Sequence, residues 1–282
     1  MQYYFLGTVS VEENGAPVLV SGSRNRNLLA ALLLDANKTV SVERLIDAVW
    51  HQQPPDTARQ QIQNRLGRIR RHFTPTTEQR IVRVGGGYRL EIDENRIDGY
   101  RFRALWVKAV RARDSDQLDH SAELLRDGLG LWRGSALEDV ESPTLRGEAV
   151  RWNEDRIKVI ESLVELEFAR SRHHAVIADL RAWIHGYPYH ETLHCRLAEA
   201  LHATGRTAEA LEVLRQLITR MATDLGINAG SGVKELHRHL LASPHEKGRP
   251  IELAPQVTAA IHQALVETSR ALTLLNSAIL NR

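Results

Sequence analysis

Two short stretches of this 282-residue chain carry side chains whose types and spacing could do chemistry. The first is PPDTARQQIQNRLGRIRRHF, from Pro54 to Phe73. Ala58, Ile62, Leu66, Ile69 and Phe73 follow one another at steps of 4, 4, 3 and 4, which predicts a helix with one buried stripe. The opposite face then holds Gln60, Gln63, Asn64, Gly67, Arg70 and Arg71, with Arg59 and Arg68 on the flanks. Glutamine, asparagine and arginine are the side chains that bond bidentately to adenine and guanine edges in the major groove. Gly67 costs the helix about 1 kcal/mol, yet it also removes bulk from that face. A charge run on a helix is ordinarily a solvated face. Here eight arginines between Arg59 and Arg89 meet a single acid, Glu78. Uncompensated local charge suits an anionic partner, nucleic acid first.

The second stretch, His190 to His194, spells HETLH. In zinc proteases two such histidines bind the metal and the glutamate is the general base. The same helix must also bury Leu193, Leu197 and Leu201, and no third ligand is evident, so packing is the expected role. Gly85-Gly86-Gly87 precedes a strand rather than a helix, so it lacks the helix N-terminus of a phosphate cradle and reads as a turn. No Ser/His/Asp or Cys/His arrangement can be assembled. The expectation is a protein that is no enzyme and needs no metal or cofactor. Cys195, the single cysteine, excludes an internal disulfide and reads as a small packed hydrophobe.

The elements that must position the arginine-rich helix can be read on either side of it. Tyr3–Leu6, Thr8–Glu12 and Pro17–Val20 read as short strands, with a turn at Asn14-Gly15. RNRNLLAALLLDANK reads as a helix, with Ser23 as its N-cap and Asn37 near its end. Ser41 caps a second helix whose Val42, Leu45, Ile46 and Val49 share a face. After the basic helix, Arg80–Val84 and Tyr88–Ile92 flank the glycines as a hairpin, with Arg83 and Arg89 on its arms. Two helices, a basic helix and a basic hairpin are the order of a winged helix-turn-helix, whose third helix enters the major groove. Arg24 and Arg26, at the start of the first helix, could touch phosphate or only solubilise the surface.

From Asp98 onward the pattern is almost all helical. Leu118, Ala122, Leu125, Leu129 and Trp132 fall at helical spacing, and a long amphipathic stretch runs from Pro143 to about Arg170. Residues 191–218 read as a helical hairpin. Its faces are Leu193, Leu197 and Leu201, then Ala208, Leu211 and Leu214, with the turn at Thr204-Gly205. The AL…GR..EAL pattern from Ala200 to Leu211 is a tetratricopeptide signature. Residues 243–250 read as a linker and about 255–280 as a last helix, either a coiled-coil seam or a helix folded back on its own chain. The expected fold is therefore mainly α with a small β component. A winged helix-turn-helix (1–97) precedes an all-α, tetratricopeptide-like domain (98–242), a linker and a C-terminal helix (243–282). Hydrophobic content of 43%, charged content of 26% and a net charge of +2 are ordinary for a soluble protein. The longest apolar run, Leu28–Leu34, is too short for a bilayer, and the start of the chain lacks a signal-peptide pattern. A cytoplasmic protein without membrane contact is expected.

Five motifs, in order, then carry a resemblance: LLAALLLDANKTVSVERLIDAVW (28–50), PPDTARQQIQNRLGRIRR (54–71), VGGGYRL (84–90), AELLRDGLGLWRGSALEDV (122–140) and GRTAEALEVLRQL (205–217). Over roughly residues 1–242 the chain resembles the Streptomyces antibiotic regulatory proteins, the SARP class of bacterial transcriptional activators. The resemblance implies an OmpR-like winged helix followed by a bacterial transcriptional activation domain. It implies binding of double-stranded promoter DNA at direct repeats near the −35 element of secondary-metabolite genes. It also implies self-association on DNA and recruitment of RNA polymerase with its principal sigma factor. The family's recognition-helix positions fall on Thr57, Arg59, Gln60, Gln63, Asn64, Arg68 and Arg71. Its wing falls on Arg83 to Tyr88, of which Arg83, Gly86, Gly87 and Tyr88 are expected at the DNA, together with Arg24. Asn64-Arg65 and Gly67 depart from the family's usual residues. On the residues alone, a helical-repeat adaptor whose basic N-terminal domain binds protein or RNA is the alternative, and a zinc hydrolase built on His190 and His194 a second.

Overall fold

Asn14-Gly15 closes the first hairpin as its sequence demands, with both residues at positive φ (53° and 80°). It joins β2 (Ser10–Glu13) to β3 (Ala16–Val18), and β1 (Gln2–Tyr4) completes an antiparallel sheet in the order β1-β2-β3. The computed structural model describes residues 1–51, 53–72 and 79–242. Phe73, the last residue of the predicted stripe, and the linker and helix read from residue 243 onward lie outside the described residues. The chain divides into two packed units, Met1–Tyr187 and one that begins at Pro188.

In the first unit α1 (Ser23–Leu34) buries Leu28, Leu29, Leu32 and Leu33 completely. Its N-cap is Gly22, at φ 85°, and not Ser23, which is the first helical residue. Asn37 sits in the left-handed region (φ 62°), which asparagine tolerates. Its amide brackets Ile92, donating to the carbonyl at 2.9 Å and accepting from the N–H at 3.0 Å. The sequence places Asn37 merely near a helix end; in the structure it splices α1 to the hairpin.

Ser41 caps α2 (Val42–Trp50) as expected, accepting from the Arg44 N–H at 3.1 Å. Then come α3 (Ala58–His72), β5 (Gln79–Val84) and β6 (Gly87–Ile92), with β4 (Val40–Ser41) joining the second sheet in the order β4-β6-β5. This is the winged helix-turn-helix that the order of motifs predicts.

Four further helices belong to the first unit: α4 (Asp98–Asp114), α5 (Leu118–Leu129), α6 (Pro143–Ala169) and α7 (Ile177–Gly186). The sequence expectation sets a boundary at residue 97, but the packing does not divide there. One hydrophobic cluster runs from Tyr3 through Phe102, Trp132 and Trp152 to Leu166. Phe5 meets Trp152 edge-on at 4.9 Å, and Arg103 lies 3.6 Å over the Trp152 ring. Asp98, 1% exposed, holds this junction. Its carboxylate accepts from the N–H groups of Phe5 (3.0 Å), Leu6 (3.0 Å) and Gly99 (2.8 Å), with Arg133 at 3.4 Å. Burial pushes the carboxyl above the ordinary range, and those N–H groups and Arg133 oppose the shift. The loop after α5 completes the strap: Arg133, Leu137 and Glu138 donate their backbone N–H groups to Leu6, Phe5 and Gly7.

The second unit contains α8 (Glu191–Ala203), α9 (Thr207–Leu225) and α10 (Ser231–Ala242). Leu193, Leu197 and Leu201 are buried as predicted, and Gly205 makes the turn at φ 79°. On α9 the buried face is Ala210, Leu214, Leu217 and Met221, whereas Ala208 is exposed and Leu211 half-buried. The buried face thus follows the steps 4, 3 and 4 from Ala210 to Met221 and shares only Leu214 with the predicted one. Among the described residues no helix is long and apolar enough to cross a membrane.

Asp98→Ala should lower the stability of the first unit by about 3–5 kcal/mol, because it strands buried N–H donors and Arg133. Urea unfolding checks this, and a loss under about 1 kcal/mol would show that water replaces the carboxylate.

Candidate nucleic-acid interface

The interface is built from the buried side of α3 outward. Ala58, Ile62, Leu66 and Ile69 are at most 4% exposed and pin the helix to α1 and α2. That leaves Gln60, Gln63, Asn64, Arg68 and Arg71 exposed along the opposite side. Thr57 is exposed just ahead of the helix, where its carbonyl accepts the Gln61 N–H at 2.9 Å and its hydroxyl accepts from the Gln61 amide at 3.1 Å. Among the described residues, neither Arg68 nor Arg71 has a carboxylate partner. These side chains form one polar, cationic strip, the arrangement that reads base edges and phosphates.

The remaining arginines have other duties. Arg59 is exposed but forms an ion pair with Glu43 of α2. Arg70 turns away from the strip, donates through Nε to the Ile81 carbonyl at 3.0 Å and lies 6.0 Å over the Tyr88 ring. It fastens the recognition helix to the wing. Arg65 donates to the Asn25 amide oxygen at 2.9 Å and is half-buried. Arg80 and Arg89 both bond to Glu91, at 2.7 and 2.6 Å. The hydrogen bonds from Arg80 and then Arg89 hold the Glu91 carboxyl below its usual range. The hairpin is accordingly less basic than its sequence suggests, and Arg83 is the exposed wing arginine that has no carboxylate partner among the described residues.

The four expected wing residues differ in exposure. Gly86 is exposed at the tip, but Gly87 and Tyr88 are buried. A Cβ on Gly87 would stand 2.2 Å from the Val40 carbonyl oxygen, so this glycine exists for the close approach of β6 to β4. Tyr88 is 4% exposed and packs into the core beneath Arg70. Arg24 is exposed at the start of α1, 5.9 Å over the Trp50 ring. Sequence reasoning missed the partners Glu43 and Glu91 and the tether Arg70. The signal for Glu91 was present: counting outward from the Gly85-Gly86 turn puts Arg80 opposite Glu91.

HETLH does not assemble as a metal site. His194 is 4% exposed, with Nδ1 3.0 Å from the His190 carbonyl. The Glu191 carboxylate, the supposed general base, accepts the Gly230 N–H at 3.0 and 3.1 Å. Among the described residues no group of three or more His, Cys, Asp or Glu is placed to hold a metal. Cys195 is half-buried, and burial pushes its thiol up to about 11, well away from a reactive thiolate.

Residues 97–241 match the bacterial transcriptional activator domain. Residues 18–90 match the C-terminal domain of transcriptional regulatory proteins. The chain is 31% identical over 274 residues to the regulatory protein DnrI of Streptomyces peucetius, covering 94% of this chain and 100% of that one. It is 33% identical over 243 residues to the transcriptional regulator RedD of Streptomyces coelicolor, covering 84% and 69%. Among solved structures, Mycobacterium tuberculosis EmbR in complex with a low-affinity phosphopeptide superposes with a TM-score of 0.72 at 30% identity, over 85% of this chain and 64% of that one.

Gly87→Ala should cost about 1–3 kcal/mol through overpacking against Val40, whereas Gly86→Ala, with open space at its Cβ, should be nearly neutral. Equal denaturation midpoints for the two variants would refute the close-approach role. Burial holds the His194 imidazole below its ordinary 6.5. The unfolded chain therefore takes up the proton first as pH falls, and stability is lost below 6.5. His194→Gln should flatten that acid limb in urea titrations at several pH values; an unchanged limb would remove His194 as its source.

Proposed function

Because the chain belongs to the Streptomyces antibiotic regulatory protein family of transcriptional regulators, we propose that it activates the genes of a secondary-metabolite cluster by reading direct repeats near the −35 element. The single observation that carries this reading is the α3 strip of Gln60, Gln63, Asn64, Arg68 and Arg71, exposed, with no carboxylate paired to Arg68, Arg71 or the exposed wing residue Arg83 among the described residues. The helix reads bases in the major groove. Arg83 and the wing tip fix register through the backbone. Residues 1–97 act as the DNA-binding module, 98–242 as the activation module, and 243–282 as an appendage. Two copies on adjacent repeats gain affinity from each other's presence. The activation module recruits RNA polymerase through its principal sigma factor. The protein works in the cytoplasm, on the nucleoid, as a regulator and not as an enzyme.

A footprint on the promoters flanking its own gene, repeated at several salt concentrations, tests this. Two protected repeats about one helical turn apart, weakening steeply with salt, are expected. Uniform coating without repeats would sink the reading. Arg68→Ala should cost about 1–3 kcal/mol on the operator and relax the preference at one base pair, while Arg83→Ala should weaken all duplexes alike. The reverse pattern would exchange their roles.

A further inference from the structure

α8 and α10 start at one junction, where the Gly230 N–H donates to the Glu191 carboxylate. From there they run in the same direction, with α9 packed against both. They enclose a groove of about 330 Å³, lined by Thr192, Cys195 and Glu199 of α8 and by Gly232, Val233 and Leu236 of α10. Stacked helical pairs present such a surface to a bound segment. α10 buries Val233 and Leu240 alone, and no helix follows it among the described residues.

Exposed apolar side chains gather in the same unit. Of the seven large ones exposed among the described residues, Tyr189, Leu225, Ile227 and Leu241 belong to it, each at least 40% exposed. The second unit is thus where burial is least complete. The Tyr189 hydroxyl donates to the Asp224 carboxylate at 3.2 Å. That bond brings the end of α9, with Leu225 and Ile227, to the end of the groove where α8 starts. Leu241 stands at the opposite end, where α10 stops. Apolar surface therefore marks both ends of the groove.

Residues 243–282 leave α10 at the Leu241 end. Between Pro255 and Leu280 the only charged side chains are Glu267 and Arg270. Val257, Ile261, Ala264, Thr268, Leu272 and Leu275 follow at steps of 3 and 4, which is one helical stripe. So apolar a segment is stabilised by burial and costly to leave in water. Residues 243–254 are ample to turn the chain back on itself. A helix of residues 255–280 spans about 39 Å, against about 20 Å for α8. One that entered at Leu241 and ran down the groove would therefore reach Tyr189, Leu225 and Ile227. The tether adds an effective concentration in the millimolar range, which a free partner must exceed.

We infer that residues 255–280 lie as a helix in the groove between α8 and α10, antiparallel to both, with their apolar stripe toward Cys195 and Leu236. The chain thereby fills its own docking surface, and any protein that binds there must first displace the segment. This placement stands on the second unit alone and needs no particular reading of α3.

Cys195 is the single cysteine and lines the groove, so a second cysteine reports proximity. In the full chain, Ile261→Cys, Ala264→Cys and Thr268→Cys fall on the stripe, and Gln263→Cys and Arg270→Cys on the opposite side. Under copper–phenanthroline oxidation, at least one stripe variant should form a disulfide with Cys195, read by mass spectrometry, and neither opposite-side variant should. Mixing isotope-labelled with unlabelled chains identifies the source. A disulfide within one chain belongs to the chain's own segment; one between chains would give the groove to a second copy and overturn the placement. Alkylation of Cys195 by a maleimide should quicken about tenfold in the double variant Ile261→Asp, Leu272→Asp, which opens the groove without altering the described helices. No disulfide, equal yields from both sides, or an alkylation rate that the aspartates leave unchanged would each refute the placement.

Discussion

The Asp98 carboxylate is a buried charge placed where three backbone N–H groups converge, and the first unit is arranged around it. An ionised oxygen in an apolar surrounding is tolerated only if its lone pairs are filled. Here they are filled by Phe5 and Leu6, at the end of the first strand, and by Gly99, in the first turn of α4. A negative charge there also suits the N-terminal end of α4. The amino-terminal sheet is thereby tied to the helices that follow the wing. Phe5 can then lie against Trp152, and the loop at Arg133–Glu138 can close over the strand with its own backbone bonds.

On the exposed side of α3 the governing quantity is how many arginines are left without a carboxylate partner. The sequence between Arg59 and Arg89 is rich in them, but the fold spends several on itself. Glu43 takes Arg59, Glu91 takes Arg80 and Arg89, and the Ile81 carbonyl with the Tyr88 ring takes Arg70. The positive field is therefore narrower than the charge run, and it is aimed along one side of α3.

Much of this was legible in the sequence. The stripe from Ala58 to Ile69, the Ser41 cap, the Asn14-Gly15 turn and the glycine-tipped hairpin are all local, short-range signals, and each appears where the pattern puts it. What was not legible depends on long-range pairing. Asp98 looks like an ordinary helix-opening acid until Phe5 arrives from the far end of the unit. Tyr88 and Gly87 look like wing residues until β4 closes over them. The buried face of α9 was present as the 4, 3, 4 spacing from Ala210 to Met221 and was passed over for Ala208 and Leu211. The candidate site was legible as residue types on a face, and illegible as charges already neutralised.

The unbroken core from Tyr3 to Leu166 has a thermodynamic consequence. If the winged helix and α4 to α6 unfold as one cooperative body, free energy gained at α3 is shared by every element in that body. A ligand held at α3 would then slow the opening of α5 and α6 as well. In a body of that kind, binding at one element would reach the others as a suppression of their fluctuations.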